Sequence, residues 1–105
     1  MHDITVQDLA TWRSEGKDFV LLDVREPDEI AAASLPGAVV MPMREVPTRF
    51  GELPTDKPIA VLCHHGGRSE RVAAFLRARG FGGAVNVDGG IDAYARTVDP
   101  AVPRY

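Results

Sequence analysis

The sequence predicts an α/β fold, a parallel sheet with helices on both of its faces. Short, wholly apolar runs such as "FVLL" and "IAVL" are too short for buried helices and suit strands covered on both sides. Segments of helical period separate these runs, the alternation that a parallel sheet requires. Asp23 and Cys63 each follow such a run directly. In sheets of this kind ligands sit beyond the carboxyl ends of the strands, so the functional site is expected where those two ends meet.

Each element can be justified in turn. "ITVQDLATWRSEG" reads as a helix with Thr5 as N-cap, Val6, Leu9 and Trp12 on one face, and Gly16 as the stop. Phe19 to Val24 is a buried strand. "EPDEIAAAS" forms a short helix starting near Pro27, since proline is tolerated in a first helical turn. Pro36 and Gly37 make a turn before a short strand, Ala38 to Met41. "REVPTRF" is weakly helical, with Pro47 either in a first turn or breaking the segment. Pro58 to Cys63 is a second apolar strand, ending on the cysteine. "RSERVAAFLRARG" is the strongest helix: Val72, Phe75, Leu76 and the stem of Arg79 share a face, and Gly80 supplies the left-handed C′ position. Ala84 to Val87 is the last strand and "GGIDAYART" the last short helix, followed by a tail from about residue 98 to 105.

Composition narrows the class. A chain of 105 residues is expected to be one domain, and 45% hydrophobic with 26% charged residues fits an ordinary globular protein. No apolar run approaches the length of a membrane span. "MHDITVQDL" lacks a basic stretch followed by an apolar one, so no signal peptide is expected and a cytoplasmic location is. The single cysteine cannot form an internal disulfide, which agrees with a reducing compartment. A formal net charge of −3 without a basic run argues against nucleic acid as a partner.

The chemistry concentrates in "CHHGGRS", Cys63 to Ser69. Gly66 and Gly67 let the backbone curl until several N–H groups point into one concavity, an anion-binding nest. Arg68 and Ser69 open a helix whose positive end faces that concavity, and Arg68 either adds a full charge or braces the loop. Each of these favours a thiolate, so the Cys63 pKa is expected to be depressed. A buried inert thiol would leave the glycines, the arginine and the helix start unexplained. A metal site is disfavoured, because Cys63, His64 and His65 are consecutive and no paired-ligand spacing occurs elsewhere. A nucleophilic thiolate in an oxyanion cradle accounts for all of them. Four residues, His64 to Gly67, separate Cys63 from Arg68. Cysteine phosphatases use a loop one residue longer, and the tighter loop suits one extra sulfur better than a phosphate group.

From about Ile4 to Ala95 the chain resembles a single-domain rhodanese, a sulfurtransferase. The segments that carry the resemblance are "LLDVREPDEI", "LPGAVVMPMREV", "VLCHHGGRSERVAAFLRARGF" and "NVDGGIDAYA", in family order and spacing. It implies a rhodanese-like fold, a five-stranded parallel sheet flanked by helices, and transfer of a sulfane sulfur through a cysteine persulfide without a cofactor or metal. Carried over, Cys63 is the persulfide-forming nucleophile. His64, His65, Gly66, Gly67 and Arg68 form the active loop, and Ser69 begins the next helix. Asp23 and Arg25 match the family's Asp-Val-Arg segment beside the loop; a structural ion-pair network with Glu26 or Glu29 is the alternative role for them. Gly89 and Gly90 match a Gly-Gly turn with a backbone role.

The implied partners are a small sulfur donor, thiosulfate or a persulfide, and a thiol or cyanide acceptor, with thioredoxin or a sulfur-relay protein as further candidates. Three departures stand out. Ala33-Ser34 replaces a common Gly-His, Tyr94 replaces a common tryptophan, and the loop lacks the additional basic residue that often follows the cysteine. With His64 and His65 mostly neutral near pH 7, the loop holds little fixed charge for a dianion, so a persulfide fits as well as thiosulfate. Two other readings remain open: an arsenate-type or thiol redox enzyme needing an external resolving thiol, and a sulfur-delivery module active only with a partner.

Overall fold

The computed structural model describes residues 2–105. Five strands form one sheet, β1 (Asp3–Ile4), β2 (Val20–Asp23), β3 (Val39–Val40), β4 (Ile59–Leu62) and β5 (Ala84–Val87). Their spatial order is β1-β5-β4-β2-β3, and every neighbouring pair is parallel. The helices are α1 (Val6–Ser14), α2 (Pro27–Ala32), α3 (Val46–Arg49), α4 (Gly67–Arg77) and α5 (Gly90–Thr97).

The apolar runs divide their side chains between the two faces, as the two-residue period of a strand dictates. From β4 and its end, Ile59, Val61 and Cys63 enter a core with Val72 and Leu76 of α4 and Val46 of α3. Ala60 and Leu62 enter the opposite core with Leu9 of α1 and Ile91 of α5. β2 splits in the same way, Leu22 to the first core and Leu21 to the second. The sheet is thus covered on both faces, as the sequence predicts. β3 differs: it lies at the sheet edge and Val39 and Val40 are exposed.

Local chemistry sets the helix ends. The Thr5 hydroxyl accepts from the Asp8 N–H while the Asp8 carboxylate accepts from the Thr5 N–H, a reciprocal cap at 3.0 Å each way. At the far end of α4 the Phe81 N–H donates to the Leu76 carbonyl and the Gly80 N–H to the Arg77 carbonyl. That crossed pair is a Schellman motif with Gly80 at C′, as expected from the sequence. Pro47 falls in the first turn of α3 and does not break it.

Three differences from the sequence reading have physical causes. β1 is not foreseen, because two residues show no period; pairing with Asn86 and Val87 of β5 makes Asp3–Ile4 a strand. The other strand runs are trimmed at their ends except β5, because only the paired central residues stay in the ladder. α4 begins at Gly67, one residue before Arg68, after Gly66 has turned the chain with φ at +108°.

The carboxyl end of β4 meets the start of α5. There the N–H groups of Ile91 and Asp92 donate to the carbonyls of Cys63 (2.9 Å) and His64 (3.1 Å). Gly90 sits so close that a Cβ on it would overlap those same carbonyl groups, and its φ is +61°. Gly90→Ala should therefore destabilise the fold by about 3 kcal/mol through clash and backbone strain together. Denaturant unfolding of the variant measures this.

Candidate active site

Cys63 follows β4, and Asp23 ends the adjacent β2, where Asp23 pairs with Leu62. The chain from His64 to Gly66 curls over the end of β4 and enters α4. Its N–H groups turn inward: those of Gly66 and Ser69 donate to Cys63 Sγ at 3.1 and 3.4 Å. The Ser69 hydroxyl lies 3.2 Å from the same sulfur. Cys63 is only 1% exposed.

Burial pushes the Cys63 thiol up. The hydrogen bonds from the Ser69 hydroxyl and from the amides of Ser69, Gly66 and Arg68 pull it down and prevail, so the thiol ionises below its ordinary range. The depression expected from the sequence is present, and its cause is hydrogen bonding more than any neighbouring cation. Arg68 turns away from the sulfur. Its guanidinium grips the Glu29 carboxylate at 2.7 and 2.8 Å, so it braces the loop against α2 and its charge is largely neutralised there.

Asp23 and Arg25 form a buried pair of their own. The Arg25 guanidinium donates to Asp23 at 2.7 and 2.9 Å and to the carbonyls of Ala33 (2.8 Å) and Glu29 (3.3 Å). The structural ion-pair role expected for them is present, but its expected partners are corrected: Glu26 pairs with Arg44 and Glu29 with Arg68.

His64 and His65 come together with Asp92, and Cys63 is not among them. Their rings stack at 4.1 Å, and their nitrogens gather with the Asp92 carboxylate within 4.8 Å. The donor set is nevertheless poor for a cation. Asp92 already receives Arg96 and Arg104 at 3.0 Å each, and stacked imidazoles direct their lone pairs side by side instead of toward one point. His64 is held below its ordinary pKa, first by burial and then by His65, which keeps it neutral near pH 7.

Sequence reasoning missed three contributors, Asp92, Tyr105 and Asn86, and gave a fourth, Glu29, the wrong partner. Glu29 and Asp92 look like surface acids on short helices, and their basic partners Arg68 and Arg104 are remote in sequence or lie in the tail. Tyr105, read as tail, reaches the site. Asn86 stands in β5 among apolar residues, and that lone buried amide was the available signal. The Ser69 hydroxyl donates to its amide oxygen. That hydroxyl has one proton and two neighbours competing for it. When the proton lies toward Asn86, a hydrogen bond between Ser69 Oγ and Sγ needs the Cys63 S–H as its donor. Donation to a thiolate requires the amide turned so that its N–H₂ meets Oγ.

The loop gathers backbone amides and a hydroxyl around one buried sulfur at the end of a parallel strand. The family model described as "Rhodanese-like domain" matches residues 5–97. The chain belongs to that family. The rhodanese domain is 35% identical to a protein named "Sulfurtransferase" from Allochromatium vinosum, over 97% of this chain and 95% of that one. It is 47% identical to the rhodanese-like/PpiC domain-containing protein 12 of Arabidopsis thaliana, over 81% of this chain but only 30% of the relative, which is much longer. Among solved structures, a rhodanese-related protein from Thermoplasma volcanium superposes with a TM-score of 0.87 and 32% identity, covering 100% of both chains. Among the described residues no helix is long and apolar enough to cross a membrane.

Two outcomes test the electrostatics. Ser69→Ala should shift the pH midpoint of Cys63 alkylation upward, since a hydrogen bond to the thiolate is lost. A midpoint equal to that of wild type would contradict the assigned role. Glu29 is held down to about 2 from about 4.5, chiefly by Arg68. A depressed carboxyl stabilises the fold above its unfolded pKa, so this contribution should be complete above about pH 4.5 and lost as pH falls toward 2. Acid titrations of stability should show that loss in wild type and a flatter profile in Glu29→Gln.

Proposed function

We propose that this protein is a sulfurtransferase that carries a sulfane sulfur as a persulfide on Cys63. The observation that carries the reading is the convergence of two backbone amides and the Ser69 hydroxyl on Sγ at the buried end of β4. Membership of the rhodanese family and the name of the Allochromatium relative support it.

The transfer is a double displacement. The Cys63 thiolate attacks the outer sulfur of the donor, the donor's S–S bond breaks, and a thiolate departs, or sulfite when the donor is thiosulfate. The sulfur left on Cys63 occupies the cradle and shares the loop N–H groups. An acceptor thiolate then attacks that outer sulfur, forming its own persulfide and releasing the Cys63 thiolate. Cyanide as acceptor leaves as thiocyanate. No general base is needed once the thiol is ionised, and no cofactor enters.

Pairing of Arg68 with Glu29 favours a persulfide over thiosulfate as the donor, because the cradle then offers dipoles and little net charge to a dianion. In mass spectrometry after exposure to a persulfide donor, wild-type protein should gain one sulfur atom and Cys63→Ser none. No gain by wild type, or an equal gain by the variant, would overturn the proposal. Steady-state rates should rank a small thiol persulfide above thiosulfate in kcat/KM; the reverse order would remove the donor assignment.

A further inference from the structure

Cys63 is almost wholly buried, so a donor needs an opening. Tyr105 lies against both ends of the loop that encloses Cys63. Its ring stacks on His64, the residue after Cys63, at 4.2 Å and nearly parallel. Its hydroxyl donates to Glu29 Oε2 at 3.0 Å and accepts from Arg25 Nη1 at 2.9 Å. Glu29 in turn holds Arg68, the residue at the other end of the loop. One side chain therefore spans the cradle from rim to rim.

The segment that delivers Tyr105 is docked. Val98 and Val102 pack against the core on the α1 and α5 side, and Arg104 donates to Asp92 at 3.0 Å. Tyr105 itself remains 41% exposed, so its contacts lie at the solvent edge and breaking them exposes little apolar surface. A ring held at both rims limits the width of what approaches Sγ.

We propose that Tyr105 is a specificity-determining residue that roofs the Cys63 cradle, admitting small sulfur compounds more readily than sulfur carried on a large thiol or a protein. The proposal rests on Cys63 being the reacting atom. With the roof in place a slim donor reaches the sulfur past the ring edge. A bulky one must wait for both the stack and the hydroxyl contacts to break.

Alkylation of Cys63 reads the roof directly, whether or not sulfur is transferred. Rates are measured on the alkaline plateau, where thiolate content no longer varies, with iodoacetamide as the small probe and a polyethylene-glycol maleimide as the bulky one. Tyr105→Ala should raise the bulky-probe rate about tenfold and the small-probe rate less than about twofold. Tyr105→Phe keeps the stack without the hydroxyl contacts and should fall between. Arg104→Ala, which loosens the segment away from the cradle, should move the bulky rate in the same direction. A bulky-to-small ratio unchanged in Tyr105→Ala overturns the proposal, and so does an equal rise for both probes, which marks general loosening. Sulfur gain by the wild type, measured alongside, tests the transferase reading separately.

Discussion

Every peptide unit carries a donor and an acceptor, so a loop that turns its N–H groups inward must place its carbonyls elsewhere. That constraint governs this structure. The carbonyls of Cys63 and His64 point away from the cradle and would be orphaned inside the fold. The first-turn N–H groups of Ile91 and Asp92 receive them, and those groups are themselves without helical partners. Two sets of unsatisfied backbone groups, one from a loop and one from a helix start, thus satisfy each other. The close approach this needs leaves no room for a side chain at residue 90. The Gly-Gly turn, the inward amides and the stabilised thiolate are one arrangement.

The charged groups around the site follow a second pattern, in which each has a partner. Arg68 is taken by Glu29, Arg25 by Asp23, and Asp92 by Arg96 and Arg104. Stabilisation of a charge on the Cys63 sulfur is left to oriented dipoles, which are fixed by the fold and need no reorganisation when that charge forms. The ion pairs hold α2, the loop and α5 in place around them.

The parts of this arrangement legible in the sequence are those with a local signature. The apolar runs of β2 and β4, the Thr5 cap, the Gly80 stop and the glycine-rich turn after Cys63 all express rules that act over a few residues. Parts decided by long-range pairing were not legible. β1 is a strand only because β5 lies beside it, and Glu29 belongs to the site only because Arg68 reaches across from α4. The stacking of His64 on His65 has no signature in the sequence, since it depends on how the chain turns before Gly66. Asn86 was visible as an odd residue in a strand, but its link to Ser69 depends on how β5 sits against α4.

The dependence of the cradle on Ile91 and Asp92 also bears on how the chain acquires its reactivity. The strand that leads into Cys63 and the helix start that completes its loop are separated by all of α4 and β5, so their contact closes a long stretch of chain. A nascent chain paused after α4 would hold Cys63 as an ordinary thiol, with its loop carbonyls free and its amides unaimed. The lowering of the Cys63 pKa would begin only once residue 92 has docked. The thiolate is therefore a property of the finished fold, and a partly made molecule would be shielded from premature oxidation and disulfide exchange by chemistry it does not yet possess.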